Sequence, residues 1–375
     1  METALLIILA LLATLGCLAL WVRGVMAFFA LKGQRPTAIV VAAVDGWQLC
    51  AWHRTPSRRR FVEPVVLCHG LSNNHRFLEF QSPHSLAAAL ADAGFECFTV
   101  ELRGAGQAAP APPGMRADGC IDDYVRFDVP ALIRHALTHS GALKTFWVGH
   151  SLGGLVALAA AEGEVAQKLK GLITIGSPVF FRTQWGTRWL LKFGYWLSPL
   201  GRFRTDWLAA LVAPFAGWFR VPVGSGMANQ RNMPGWVQRR AMATVIAPIW
   251  HGVLSQLRDW TYDDKFRSVD GKTDYRERVR ALEVPTLIVG GSADGLAPPA
   301  NCEQHFALAG SADKELQMFG TAFGHRNDYG HGDLLLGTHA PVEVYPRLIA
   351  WLERRATPVE EQAAATIGAA TAQRG

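Results

Sequence analysis

Nothing in this chain is spaced to hold zinc through cysteine or to close a disulfide framework. The six cysteines (Cys17, Cys50, Cys68, Cys97, Cys120, Cys302) are scattered, without a C-x-x-C pair or a Cys/His ligand spacing. Free thiols and no structural metal are therefore expected, which favours a reducing compartment. Cys68 and Cys97 lie inside apolar runs and read as small buried residues. Acidic charge is scarce in one stretch: from Pro178 to Leu254 nine Lys/Arg stand against the single acid Asp206, in a chain of net charge +6. Such a face is either simply solvated or meets anionic headgroups. No zinc-finger or RNA-binding signature accompanies it, so nucleic acid is not an expected partner. A P-loop is lacking, and Arg103-Gly104-Ala105-Gly106 is too short for a dinucleotide fingerprint, so no cofactor is expected. There is no internal repeat, and the oligomeric state is not legible.

What is present begins at the N-terminus. Ala4 to Val22 is apolar and uncharged, long enough for the roughly 20 residues a bilayer requires. The only early charge is Glu2, whereas a cleaved signal opens with positive charge. Arg23, Lys32 and Arg35 follow the apolar run, and the positive-inside rule then places the rest of the chain in the cytoplasm behind a single-pass anchor.

At 375 residues, half of them hydrophobic, the chain can hold one large α/β domain with an insertion or two modest domains. After an anchor segment, 1–35, the runs Ala38–Val44 and Gln48–Arg54 read as strands joined at Asp45-Gly46-Trp47. Pro64–Cys68 is a buried strand. Ser82-Pro83 looks like the start of a helix that stops near Gly94. Then come strand Phe95–Val100, helix Asp122–Ser140, strand Thr145–Val148, helix Leu152–Ala161 and strand Gly171–Ile175. This alternation predicts an α/β fold, a mostly parallel sheet with helices on both faces. The rhythm breaks at Ser177-Pro178 and resumes at Pro285–Val289. The stretch 178–282 between holds eight of the thirteen tryptophans and reads as a helical lid inserted between core parts 36–177 and 283–355. A helix at Pro299–Ala309, the strand Glu315–Phe319 and a helix Val342–Arg355 close the domain. The tail 356–375 has a disordered composition.

Gly149-His150-Ser151-Leu152-Gly153 fits the G-x-S-x-G nucleophile elbow. A serine on a very tight strand-to-helix turn leaves no room for flanking side chains, hence glycine on both sides. A strand precedes it and a helix follows, as the elbow requires. Ser151 needs a base and an orienting acid, in the order Ser, acid, His. Asp294 follows the strand Thr286–Val289, where a carboxylate reaches the C-terminal edge of the sheet. The base is His325 or His331, and spacing alone leaves both open. The oxyanion requires preorganised N–H donors. One is expected from Leu152, at the start of the helix, and the other from Leu71 in the His69-Gly70-Leu71 loop. His69 and His150 read as structural.

These motifs make residues 60–355 resemble the α/β-hydrolase superfamily, and most specifically the acid-lipase group of gastric and lysosomal lipases. His69-Gly70-Leu71 with Ser85-Leu86-Ala87 and Leu90-Ala91-Asp92-Ala93-Gly94-Phe95 resembles that group's oxyanion loop and first helix. Tyr124 with Asp128-Val129-Pro130-Ala131 resembles the segment before its nucleophile strand, and Gly290-Gly291 with Asp294 its acid loop. His331-Gly332-Asp333-Leu334, followed by Ala340-Pro341-Val342-Glu343-Val344-Tyr345, resembles its histidine motif and aligns His331 with the base. The group's glutamine after the serine is Leu152 here, and the insertion does not match. Gln256-Leu257-Arg258-Asp259-Trp260, Asp270-Gly271-Lys272 and Asp274-Tyr275 are instead similar to bacterial hydrolases related to polyhydroxyalkanoate synthases. Those synthases use cysteine at the elbow, so serine implies hydrolysis.

The resemblance implies a serine esterase or lipase with a Ser151–His331–Asp294 triad. The tryptophans of the insertion would supply an apolar acyl pocket, or simply its core. Two rivals stand beside this reading: an acyltransferase on the same triad, and a non-catalytic binding protein that keeps the fold.

Overall fold

A computed structural model describes residues 2–31, 36–108, 110–115, 118–181, 192, 194–196, 198, 202–218 and 226–362. Lys32, Arg35, Arg182, Arg188, Arg220, Trp185 and Trp189, which the sequence reading used, lie outside the described residues. Helix α1 (Glu2–Phe28) is long and apolar enough to cross a membrane, and buries only Val22 and Val25.

Strands β1 (Thr37–Ala42) and β2 (Gln48–Arg54) pair antiparallel. The turn between them uses Gly46 at φ 92° and tucks Trp47 into the core. β3 (Val65–Cys68) follows, then α2 (Leu86–Asp92). The helix expected from Ser82 starts later because Gln81–His84 is a turn, closed by His84 N–H on Gln81 O at 2.9 Å. Ser85 is the true cap, accepting the Ala88 amide at 3.2 Å, the usual role of serine there.

After β4 (Cys97–Glu101) the expected helix from Asp122 is interrupted. A short turn, Ile121–Asp123, and a wide π turn, Tyr124–Asp128, lead into α3 (Val129–Ser140). Pro130 has no N–H for the preceding turn, so the regular ladder starts only beyond it. β5 (Thr145–His150), α4 (Leu152–Ala160), α5 (Gly163–Lys168) and β6 (Leu169–Ile175) complete the first half.

Between β6 and β7 the described residues include α6 (Thr205–Val212), α7 (Gly235–Thr244), α8 (His251–Asp263) and α9 (Tyr275–Arg280). Then come β7 (Thr286–Gly291), α10 (Pro299–Leu308), β8 (Lys314–Phe319) and α11 (Tyr345–Glu353). The final helix expected from Val342 is two pieces, Ala340–Glu343 and α11.

The eight strands form one sheet in the order β1-β2-β4-β3-β5-β6-β7-β8. Only β2 opposes its neighbours, and the pairings from β4 to β8 are all parallel. Side chains alternate between two buried clusters, one on each face. Val66, Cys68, Trp147 and Leu172 enter one, and Val65, Leu67, Phe146, Val148, Ile173 and Ile175 enter the other. Helices cover both faces, which is why β3, β5 and β6 read as unbroken apolar runs.

Trp250, Val253, Leu254, Trp260, Tyr275, Val279 and Leu282 belong to the first cluster. The part of the insertion from Trp250 to Leu282 therefore packs into the same core as the sheet. Past Ala356 the chain remains attached. Val62 N–H bonds Thr357 O at 2.9 Å, Val359 N–H bonds Arg60 O at 3.0 Å, and Pro358 bridges Phe61. The boundary drawn from composition at 356 thus falls short of Gln362, because paired backbone outweighs a polar sequence.

Candidate active site

Ser151 stands between β5 and α4 with φ at 53°, a left-handed backbone that side chains rarely adopt. Its neighbours explain how it is held there. A Cβ on Gly149 would lie 2.4 Å from the Gly153 backbone, and one on Gly153 2.4 Å from Cys68 O. Ser151 N–H donates to Ile175 O at 2.7 Å, and Ser177 Oγ donates to Ser151 O at 2.9 Å. The strain is thus over-determined by surrounding bonds, as strained functional residues require.

Asp294 lies just past β7 and His331 beyond β8. His331 Nδ1 and Asp294 Oδ2 are 2.8 Å apart, both residues buried. The other carboxylate oxygen, Oδ1, accepts the Leu296 and Ala297 amides, each at 2.8 Å. The carboxylate therefore has one oxygen committed to backbone and one to imidazole, which fixes the tautomer with Nδ1–H toward Asp294. His325 is elsewhere: its ring packs on Phe319 at 4.7 Å and its Nδ1 is 3.2 Å from Gly320 O. Of the two histidines, His331 is the one that meets Asp294.

Gly176, at φ 59°, lies over this pair. A Cβ there would be 3.0 Å from His331 Nδ1 and 3.2 Å from Asp294 Oδ2. His150 links the elbow to the base, with its Nε2 3.1 Å from His331 O and its ring 4.6 Å from the His331 ring. Burial pushes the His150 imidazole well below its ordinary pKa, so it stays neutral beside His331. No hydrogen bond joins the Ser151 hydroxyl to His331 among the described residues.

Leu152 N–H opens α4, where the helix dipole favours an anion. Gly70, before Leu71, abuts the serine: a Cβ on it would be 3.0 Å from Ser151 Cβ. Leu71 and Leu152 line one cavity, closed on the far side by Ile249 and Trp250. Neither amide has a hydrogen-bond partner among the described residues. His69 is structural in its contacts. Its Nδ1 is 2.8 Å from Gly70 O, its Nε2 accepts Leu102 N–H at 3.4 Å, and burial lowers its pKa.

Two supports had no assigned role in the sequence. Asp333, fully buried, accepts the Asn229 amide at 2.8 Å, the Gly330 amide at 3.0 Å and Asn232 Nδ2 at 2.8 Å, pinning the loop that carries His331. Arg103, read only as part of a glycine turn, makes a buried pair with Asp128 through Nε at 2.8 Å, and reaches Asp45 at 2.7 Å. An arginine beside an apolar strand end was the available signal, since a buried guanidinium must be paired.

A doubly covered, mostly parallel sheet carrying a strained serine at one strand's C-terminal end defines the α/β-hydrolase class. The chain belongs to that family: the model described as alpha/beta hydrolase fold matches residues 63–325. Human lipase member N is 25% identical, with 84% of this chain and 86% of that protein covered. Yeast (Saccharomyces cerevisiae) monoglyceride lipase is 24% identical over 68% of this chain and 75% of its own length. Among solved structures, a thermophilic esterase from Thermogutta terrifontis superposes with a TM-score of 0.58 at 19% identity, covering 87% of this chain and all of that one (100%). A soluble variant of the yeast monoglyceride lipase gives 0.56 at 18%, covering 87% and 97%. At these identities the structures establish the fold.

Proposed function

We propose that this chain is a serine hydrolase of carboxylic esters, acting on lipid-like substrates through an acyl-enzyme. The observation that carries the reading is the His331–Asp294 pair at 2.8 Å, behind a serine held at φ 53° on the nucleophile elbow. Lipases and esterases among the relatives support ester chemistry.

In the reaction, Ser151 Oγ attacks the ester carbonyl as its proton passes to His331 Nε2. Asp294 holds Nδ1–H and stabilises the imidazolium. The Leu71 and Leu152 amides bind the oxyanion. The C–O bond of the ester breaks, and the alcohol leaves with the proton from His331. Water then attacks the acyl-serine, giving its proton to His331, and free acid departs as Ser151 recovers its hydrogen.

The N-terminal helix supports a membrane setting for this chemistry. Val22 and Val25 of α1 pack against Ala210, Ala213 and Ala243, on and beside α6 and α7. On α6 and just beyond it, Leu208, Val212, Phe215 and Trp218 are exposed large apolar residues, the kind of surface that meets apolar partners. By the positive-inside rule, Arg23, Lys32 and Arg35, which follow the apolar run, support a cytoplasmic catalytic domain.

Labelling with a fluorophosphonate probe tests the chemistry. Wild type and His325→Ala should label, and Ser151→Ala and His331→Ala should not. A folded wild type that fails to label would sink the reading and favour a non-catalytic binding protein.

A further inference from the structure

At the end of the sheet opposite the elbow, three imidazoles and one carboxylate converge from separate segments. His53 is on β2, Glu96 directly precedes β4, and His135 and His139 are one turn apart near the end of α3. His53 pairs across the sheet with Phe98, at the start of β4, whereas Ser151 follows the far end of β5. Nothing here belongs to the hydrolytic site.

The contacts are close. His53 Nε2 is 2.8 Å from Glu96 Oε1. The His53 and His139 rings lie 4.4 Å apart, and His135 and His139 5.9 Å. One ligand atom from each of His53, Glu96 and His139 falls within 4.8 Å of the other two. Two polar atoms around the cluster are buried without a hydrogen-bond partner, Glu96 Oε2 and His135 Nε2. Arg59 Nη1 approaches that Glu96 oxygen at 3.1 Å, as an ion pair.

A salt bridge alone accounts for His53, Glu96 and Arg59, but not for two more imidazoles gathered on one carboxylate. Imidazoles around a carboxylate are a donor set that suits one borderline dication. Two histidines and a glutamate are a recurrent zinc set, with Zn–N of about 2.0–2.1 Å and Zn–O of about 2.0–2.2 Å. Calcium and magnesium prefer all-oxygen ligands. His139 is exposed near the end of α3, its ring also 5.4 Å from that of Phe98.

We infer that His53, Glu96 and His139 form a binding site for a zinc-class divalent cation, with His135 or water as the fourth ligand and Arg59 orienting Glu96. The ion would tie the end of α3 to β2 and β4. Cysteine and Cys/His spacing could not reveal such a site, because its ligands are drawn from three distant segments.

The test uses tag-free, full-length protein in detergent, stripped with chelator and titrated with Co2+ and then Zn2+. The expected result is one Co2+ per chain with tetrahedral visible absorption, displaced by Zn2+, and a rise in Tm on loading. His53→Ala and His139→Ala should each weaken binding by about tenfold or more, while His325→Ala should not. Fluorophosphonate labelling of Ser151 should be the same with and without metal, which separates this outcome from that of the hydrolase reading. Absence of Co2+ binding to the folded wild type, or binding that survives both substitutions, would overturn the site.

Discussion

Asp294 divides its carboxylate between two backbone amides and one imidazole, and an amide side chain cannot repeat that division. In Asp294→Asn, Oδ1 can keep the Leu296 and Ala297 amides, but an NH2 then faces His331 Nδ1 and forces the opposite tautomer. Ester hydrolysis should fall by about 10³–10⁴ in kcat, as in serine proteases of that design, with the thermal midpoint little changed. A loss confined to KM would argue against the assigned role. A second residue shapes the pH dependence of stability. His305 on α10 is fully buried, and burial, opposed by the Ser177 backbone, lowers its pKa from 6.5 to about 3. The unfolded chain binds this proton first, so stability rises with pH between these values and is lost as pH falls below 6.5. The slope is about 1.4 kcal/mol per pH unit for one proton. Urea titrations across this window should show His305→Leu losing less stability on acidification than wild type; equal slopes would place the proton elsewhere. Ser151 and Asp294 were legible because glycine patterns and strand ends flag them in sequence. His305, Asp333 and the Arg103–Asp128 pair were not, since their meaning comes from contacts far along the chain.

At the scale of elements, the elbow is where strand, turn and helix constrain one another most tightly. Gly153→Ala would drive a Cβ to within 2.4 Å of Cys68 O, prising α4 from β3. Overpacking of this kind costs about 1–3 kcal/mol and would also displace the Leu152 amide. Both the denaturation midpoint and the labelling rate should therefore drop, whereas retention of both would contradict the close packing. The central strands were readable for a related reason. A strand buried on both faces must be apolar throughout, and Val65–Cys68 and Thr145–Val148 are so nearly without exception. Boundaries were harder. Ser82 and Ser85 both precede helix-compatible residues, and only the turn at Gln81–His84 selects Ser85. The break before α3 follows from Pro130, whereas Asp128, at the end of the π turn, has its partner Arg103 far back along the chain. The tryptophans from Trp250 onward looked like lid because their sheet partners are remote in sequence.

For the whole molecule, the anchor and the catalytic loop are joined by one helix. The last turns of α1 rest on α6 through Val22 and Val25, and α6 begins at Thr205. The Thr205 hydroxyl is 2.6 Å from Ala247 O and 2.8 Å from the Ser72 hydroxyl, next to Leu71. On the proposed reading, a membrane that holds α1 also holds α6 against the loop assigned an oxyanion donor. Leu208, Val212, Phe215 and Trp218, on α6 and just beyond it, are exposed. If substrate enters from the bilayer, this patch matters for membrane-embedded esters and not for dissolved ones. Replacing the four residues with serine should lower hydrolysis of a long-chain ester in vesicles by about tenfold or more, since each buried apolar side chain contributes about 1.5–3 kcal/mol to partition. Hydrolysis of a short soluble ester in detergent should stay within twofold of wild type, roughly the tolerance of surface changes. Equal losses on both substrates would mean that the patch supports the fold. No loss on vesicles would detach the active site from the membrane and leave α1 as a tether alone.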